Sequence, residues 1–289
     1  MYSENDMEVA NQIRVIGLDD LEYPELLRQI TDPPAQLYVR GQLNWGNNPR
    51  IAIVGTRKPT NYGVQITTQV VDAIASHAVI ISGLAYGVDS YAHQTAVKKG
   101  GITVAVLGCG LDDESIYPAS NRGLAQEILR TGGALISEYP AGTPPLPHHF
   151  PCRNRIIAGL SEKVVVIEAS EGSGALITAR LALDYNREVL AVPGMVTNPN
   201  AWGPNRLIAE GARPVLSPDD VVEIAPEVIR TDLTEPEEKV YNTLKSGAMT
   251  VDEIAQQTNL VISEINIIVT LLEMRGIIVN TGSGTFGIK

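Results

Sequence analysis

The feature that most constrains the fold is a series of short apolar runs, rich in β-branched residues, that alternate with longer helix-like stretches. The runs lie at residues 51–54, 79–81, 103–107, 134–136, 164–167 and 189–192. They hardly alternate in polarity, as expected for strands buried on both faces. The stretches between them have the length of crossover helices. Repeated β–α units of this kind predict an α/β fold with an extended, Rossmann-like, doubly wound and mostly parallel sheet.

The chain divides by character into four parts. Residues 1–45 are too short for a core of their own and are expected to form a lead-in packed on the Rossmann-like domain at 46–220. Residues 221–233 contain a proline and several acids and are predicted to form a linker. Residues 234–289 carry three helix signals, the last ended by Gly276, and then a hairpin signal. This order is typical of a small winged-helix domain.

The charge is unevenly distributed. A formal net charge of −11 argues at first against a nucleic-acid partner. Residues 51–220, however, carry 13 basic and 15 acidic side chains, so a local basic patch is compatible with this segment. The N-terminus has no signal-peptide pattern and no apolar run approaches the roughly 20 residues of a membrane helix. A cytoplasmic protein is therefore expected. Two cysteines and four histidines without metal-ligand spacing predict no metal site.

Small or phosphate-suited residues follow nearly every predicted strand. Ligands of open α/β sheets lie beyond the carboxyl ends of the strands. Gly55, Thr56 and Arg57 follow the first strand, and Ser82 and Gly83 follow the second. Any one of these sites is compatible with an ordinary tight turn. Their repetition along one rim favours an anion-binding edge, because glycines let backbone N–H groups approach a phosphate.

Few side chains could supply positive charge to that rim. Arg57 lies just after the first strand, and Arg153 and Arg155 flank the start of a helix. Arginine bonds two phosphate oxygens at once through its planar guanidinium. The alternative for Arg153 and Arg155 is an ion pair with Glu138 or Glu168.

Other candidates also leave two interpretations open. Ser173, Gly174 and Thr178 either donate to a phosphate or organise the start of their helix. Phe150 either offers its face to a base or belongs to the core. Asp89 is predicted to be a helix cap.

Several enzyme signatures are absent from the sequence. There is no GxxxxGK[ST] and no GxSxG, and the GxGxxG at 282–287 has no helix after it. Cys152, near His148 and His149, fits a bystander thiol better than a nucleophile. No acid–base pair is identifiable, so no catalytic residues and no cofactor are expected.

A series of motifs runs in continuous order through the middle of the chain, from residue 55 to residue 212. They are GTR at 55–57, SGLAYGVDSYAH at 82–93, AVLGCGLD at 105–112, YPASN at 117–121, LISEYP at 135–140, FPCRNRIIAGLS at 150–161, EASEGSGALITAR at 168–180, VPG at 192–194 and GPNRLIAEGA at 203–212. On these motifs, the middle of the chain closely resembles the DprA/Smf family of DNA-processing proteins. The C-terminal part resembles the winged helix that follows in many members.

The resemblance implies a cytoplasmic, non-enzymatic homodimer that binds single-stranded DNA. Members are recombination mediators that load the RecA recombinase onto incoming DNA in natural transformation. Carried over to this sequence, the DNA-binding residues are Gly55, Thr56, Arg57, Ser82, Gly83, Phe150, Arg153, Asn154, Arg155, Ser173, Gly174, Thr178 and Asn205. Such a pocket combines arginines and loop amides for the backbone with an aromatic face for a base.

Three departures from the family pattern affect these expectations. Gly172 stands where many relatives have a lysine, which removes one phosphate contact. The N-terminal SAM-like domain of many relatives is expected to be shortened or absent. The third winged-domain helix, at 263–275, has one arginine and two glutamates, whereas a DNA-reading helix is basic. We therefore expect the winged domain to contact protein and not DNA.

Two other functions remain as alternatives. One is a nucleotide-processing enzyme of the phosphoribohydrolase type, for which a PGGxGTxxE motif is expected. This chain has only Pro193, Gly194 and Met195 at the matching place. The other is a regulator that acts through its winged helix, which the acidic third helix disfavours.

Overall fold

The computed structural model describes residues 12–43, 45–222, 233–245, 247–275, 277–282 and 284–288. The chain forms two compact units, Met1–Glu223 and Ile224–Lys289, which are described separately below. Most of the predicted linker, at 223–232, and Gly276 lie outside the described residues.

The first unit is built on a nine-stranded sheet in the order β1-β2-β6-β5-β4-β3-β7-β8-β9. Its strands are β1 (Ile13–Gly17), β2 (Gln36–Gly41), β3 (Arg50–Val54), β4 (Val79–Ser82), β5 (Thr103–Leu107), β6 (Ala134–Ser137), β7 (Lys163–Val166), β8 (Glu188–Ala191) and β9 (Arg213–Pro214). The seven strands from β3 to β9 pair in parallel. The predicted mostly parallel α/β sheet is confirmed.

The strands are buried on both faces. In β5, Val104 and Val106 belong to one apolar cluster, while Ala105 and Leu107 belong to another. Successive strand residues point to opposite faces, so the two clusters lie on the two sides of the sheet. This explains why the apolar runs of the sequence hardly alternate.

The lead-in supplies two antiparallel strands to the same sheet. β1 pairs with β2, and β2 pairs antiparallel with β6, with Tyr38 opposite Ser137 and Gly41 opposite Ala134. Leu37 and Val39 of β2 are fully buried. β1 and β2 therefore extend the sheet beyond β6.

Helices connect the strands of the first unit. They are α1 (Glu25–Arg28), α2 (Asn61–Ile74), α3 (Val88–Lys98), α4 (Arg122–Arg130), α5 (His149–Leu160), α6 (Gly174–Asp184) and α7 (Trp202–Ala209). The start of α2 shows how the sequence sets a boundary: the Thr60 hydroxyl accepts a hydrogen bond from the Gly63 N–H and so satisfies one of the free donors of the first turn.

The second unit has the winged-helix order. Its elements are α8 (Glu235–Leu244), β10 (Met249–Thr250), α9 (Val251–Thr258), α10 (Ile262–Met274), β11 (Ile278–Gly282) and β12 (Thr285–Ile288). Thr250 and Glu253 form a capping box at the start of α9. Ile254, Ile265 and Leu272 are fully buried in its core. The predicted winged-helix domain is confirmed.

Candidate functional site

A cavity of about 700 Å³ opens at the carboxyl ends of β3 and β7. Its wall is formed by the loop after β3, the loop after β7, and the first turns of α5 and α6. This is the edge at which open α/β sheets bind ligands.

The structure brings together eight of the thirteen residues predicted from the sequence. The eight that line the cavity are Gly55, Thr56, Arg57, Phe150, Arg153, Asn154, Ser173 and Gly174. The other five, which are absent from the lining, are Ser82, Gly83, Arg155, Thr178 and Asn205.

Arg57 is the exposed cation of the cavity. In the described part of the chain no carboxylate oxygen lies within ion-pair distance of its guanidinium. Its guanidinium carbon lies 5.5 Å from the centre of the Phe150 ring, a favourable cation–π distance. Arg57 therefore has hydrogen-bonding capacity available for an anionic ligand.

Aromatic and proline side chains form one side of the cavity. The ring of Phe150 lies 5.8 Å from that of Tyr117, tilted by 56°. Pro145 and Pro147 extend this wall. Sequence reasoning missed Tyr117 and both prolines. Tyr117 lies in the YPASN motif, so a signal was present, but nothing in the sequence placed this loop beside Phe150.

The loop after β7 forms a polar part of the cavity lining. Ser173 is the N-cap of α6, and its hydroxyl accepts a hydrogen bond from the Ala175 N–H at 3.4 Å. Gly172 has a φ of +75°, which favours glycine, and no atom lies close enough to restrict that position. Asn154 donates to the Gly174 carbonyl at 3.3 Å and ties α5 to α6. The N-terminus of α6 therefore faces the cavity with its partial positive charge.

Arg153 lines the same cavity but is 5% exposed. Its guanidinium donates to the carbonyl oxygens of Gly83, at 2.7 Å, and Val106. Burial lowers the pKa of Arg153, and the negative charge of Asp89 opposes that shift. Neither Glu138 nor Glu168 pairs with it, so the ion-pair alternative is wrong for this arginine.

Arg155, in contrast, is held in ion pairs. Its guanidinium lies 2.7 Å from Glu138 and 3.2 Å from Asp32. These contacts join α5 to the end of β6 and to the lead-in. Glu168 has a different role: its carboxylate accepts from the Thr60 N–H at 2.8 Å and the Thr60 hydroxyl at 2.6 Å, which holds the start of α2.

The interpretation of Asp89 as a helix cap is wrong. Gly87 occupies the N-cap position of α3. The buried carboxylate of Asp89 instead accepts from the N–H groups of Gly83, at 3.2 Å, and Ala85, at 3.3 Å. Burial raises the pKa of Asp89. The positive charge of Arg153 and the two N–H donors act in the opposite direction.

The remaining predicted residues stabilise the loops around the cavity. The Ser82 hydroxyl donates to the Ile53 carbonyl at 2.7 Å, which links β4 to β3. Asn205 accepts from the Gly194 N–H at 3.1 Å and donates to the Gly194 carbonyl at 2.9 Å. The Thr178 hydroxyl faces the Gly174 carbonyl within its own helix.

Neither a metal centre nor a membrane span is found in the described part of the chain. No three His, Cys, Asp or Glu side chains of the described residues come together as a possible metal site. None of the helices described above combines the length and the apolar character needed to cross a bilayer. Cys152 is exposed, and Cys109 is buried.

Two family models together match almost the whole chain. The model described as DNA recombination-mediator protein A matches residues 14–226, and the DprA winged helix domain matches residues 225–283. Protein Smf of Escherichia coli is 43% identical over 210 residues, which is 72% of this chain and 56% of the relative. The chain thus spans little more than half the length of that relative.

Two solved structures share both sequence and fold with this chain. DNA processing protein A (DprA) from Streptococcus pneumoniae is 38% identical with a TM-score of 0.69, and the match covers 75% of this chain and 76% of the other. DNA processing protein A from Helicobacter pylori, described for its single-stranded DNA binding mode, is 32% identical with a TM-score of 0.65. That match covers 73% and 94% of the two chains.

Proposed function

The chain belongs to the family of DNA recombination-mediator protein A, and on this premise we propose that it binds single-stranded DNA in the cavity beyond β3 and β7. The single observation that carries the proposal is the placement of Arg57. An exposed guanidinium without a carboxylate partner among the described residues lies against the Phe150 ring and lines the same cavity as the N-terminus of α6. Cations and helix N-termini hold phosphates, and aromatic rings stack on bases of any sequence.

The cellular role that fits this activity is recombination mediation. We propose that the protein acts in the cytoplasm as a homodimer, is not an enzyme, and loads RecA onto incoming single-stranded DNA in natural transformation. The support is family membership together with the single-stranded DNA binding described for the Helicobacter pylori relative.

We further propose that the winged unit contacts protein and not duplex DNA. The outer face of α10 carries the exposed apolar residues Ile267, Leu271 and Met274. Glu264 and Glu273 flank them on the same helix. This surface lacks the positive charge that a DNA-reading helix uses.

Fluorescence anisotropy of a labelled oligo-dT tests the cavity. We expect Arg57→Ala to weaken binding by at least about tenfold and to reduce the slope of log K against log salt by about 0.7, the value for one lost phosphate contact. Lys98→Ala is the matched control, because Lys98 is exposed in the last turn of α3, away from the cavity. Absence of oligo-dT binding by the wild-type chain at low salt would contradict the proposal.

A further inference from the structure

The turn at residues 83–85, directly after β4, is held from both sides by buried charges. The Gly83 N–H donates to Asp89 at 3.2 Å, and the Gly83 carbonyl accepts from Arg153 at 2.7 Å. A Cβ atom at position 83 would lie 2.6 Å from Arg153 Nη1 and 2.7 Å from Asp89 Oδ2. The two side chains therefore enclose Gly83 tightly and hold both of its backbone polar groups.

The same turn contains an unusual backbone conformation. Leu84 is fully buried and has a φ of +58°, a left-handed conformation that costs free energy for a residue other than glycine. Asp89 also accepts from the Ala85 N–H at 3.3 Å, and the Asn121 side chain donates to the Leu84 carbonyl at 2.8 Å. These hydrogen bonds stabilise the turn on each side of Leu84.

The residues that follow the turn pack against the backbone of Thr56 and Arg57. Gly87, with a φ of +77°, is so close to this segment that a Cβ there would lie 2.4 Å from the Thr56 carbonyl oxygen and 2.8 Å from the Arg57 Cα. The Val88 N–H donates to the Thr56 carbonyl at 3.2 Å. A shift of the 83–85 turn would therefore move the Arg57 backbone.

Arg153 also connects the turn with Phe150. It lies one helical turn after Phe150 in α5, and its guanidinium carbon is 5.9 Å from the ring centre. Since this guanidinium is fixed by two backbone carbonyls, it provides a rigid neighbour for the ring on which Arg57 also rests.

We propose that Asp89 and Arg153 are positioning residues for the cavity. Through Gly83 they fix the position of Arg57, Arg153 also fixes the position of the Phe150 ring, and neither contacts a phosphate. The inference rests on the proposed function. It also assigns different roles to two arginines that lie against the same aromatic ring.

Salt dependence separates a positioning arginine from a phosphate-binding one. Oligo-dT anisotropy is measured across a salt series for the full-length wild type, Arg153→Met and the matched Arg57→Met. We expect Arg57→Met to reduce the salt slope by about 0.7. Arg153→Met should weaken binding by about tenfold with an unchanged slope. A slope reduced by Arg153→Met as much as by Arg57→Met would overturn the inference.

A double-mutant cycle tests whether Asp89 acts through Arg57. We expect Asp89→Asn to weaken oligo-dT binding. The factor by which Arg57→Met reduces affinity should be at least threefold smaller in the Asp89→Asn background than in the wild type, because Arg57 is then already misplaced. If Asp89→Asn only lowered stability, Arg57→Met would reduce oligo-dT affinity by the same factor in both backgrounds at a temperature where both proteins are folded. Multiplicative effects of the two substitutions would overturn the inference.

Asn121→Ala provides a second route if Asp89→Asn does not fold. Asn121 carries no charge and is absent from the cavity lining, yet it holds the Leu84 carbonyl. Weaker oligo-dT binding by folded Asn121→Ala, with an unchanged salt slope, supports the inference, and wild-type affinity contradicts it. If the wild type itself does not bind, the proposed function fails as well. Binding by the wild type without these mutant effects overturns the positioning role alone.

Discussion

The two units of this protein use charged side chains in different ways. The first unit buries Asp89, Arg153 and Glu168 and holds each of them with backbone groups. Among the described residues of the winged unit, Glu237 is the one buried charged residue. The other charged residues described in that unit are exposed, as in the pair between Lys239 and Glu235 at 2.9 Å.

This difference shows why the net charge of the chain is a poor guide to its ligand. A buried charge that is held by backbone N–H or carbonyl groups fixes the shape of a loop, since releasing it would leave an uncompensated charge. A surface pair one helical turn apart adds only a few tenths of a kcal/mol to a helix. The negative total of −11 says nothing about either arrangement.

Lowering the pH should destabilise the first unit more than the winged unit, mainly through His93. Its Nδ1 lies 2.7 Å from the Thr103 hydroxyl, which itself donates to the Ile80 carbonyl. Nδ1 therefore carries the proton of a neutral imidazole. Burial, assisted by the positive charge of Arg153, lowers the pKa of His93 from 6.5 to about 3. Between these values the unfolded chain binds the extra proton, so stability falls as the pH falls.

His93→Gln isolates this contribution. From pH 6.5 to 4.5 we expect the wild type to lose about 2 kcal/mol more unfolding free energy than the variant, as measured by urea unfolding. The raised pKa of Asp89 has the opposite effect but is common to both proteins. Hydrogen bonds from Thr234 and Thr250 lower the pKa values of Glu237 and Glu253, so the winged unit should lose stability only at lower pH. A constant difference between the two proteins would contradict the buried neutral histidine.

Arg155→Ala should affect stability and not the cavity. Its side chain is only 14% exposed, and its guanidinium is bonded to Glu138 and Asp32. We expect a loss of about 1–2 kcal/mol in thermal or urea unfolding, between the values for exposed and buried pairs. Arg206→Ala, which breaks an exposed pair with Glu210, should cost less than about 0.5 kcal/mol. Loss of oligo-dT affinity in folded Arg155→Ala would contradict this prediction and show that Arg155 contributes to DNA binding.

The smallest effect is expected from the lysines of the winged unit. Lys239 pairs with Glu235, and Lys245 donates to Asn242. We expect the double variant Lys239→Ala/Lys245→Ala to change anisotropy-measured affinity for a labelled duplex, and for oligo-dT, by less than about twofold, because neither cation contacts DNA. A more than fivefold loss of affinity for the duplex would show that the winged unit binds DNA, and the proposed difference between the two units would then be wrong.

The sequence predicted the sheet well because parallel, doubly buried strands leave continuous apolar runs. The run at 103–107 has the same bounds as β5. The first strand pair was not predicted: β1 is partly exposed, with Val15 54% exposed, and its pattern gives no comparable run. Periodicity detects burial, and an edge strand has too little of it.

The site was predicted in part, for a related reason. Residues next to strand ends, such as Gly55 and Arg57, follow from the position of the strands. The different positions of Arg153, which lines the cavity, and Arg155, which does not, cannot be predicted in this way, although the two residues are two positions apart on one helix. Which face of α5 meets the sheet depends on packing, and the sequence around these arginines has no clear apolar stripe to show it. Tyr117 lies in a loop whose path is set by distant contacts.

The pairing of β2 with β6 also defines where this protein could be shortened. If the chain were cut after residue 45, at the predicted end of the lead-in, β6 would lose the partner that now occupies its outer edge. Its unpaired N–H and carbonyl groups would then offer a template for another chain, and aggregation would follow. The lead-in therefore protects the solubility of the unit, and a truncation that aims to isolate the cavity has to retain β2.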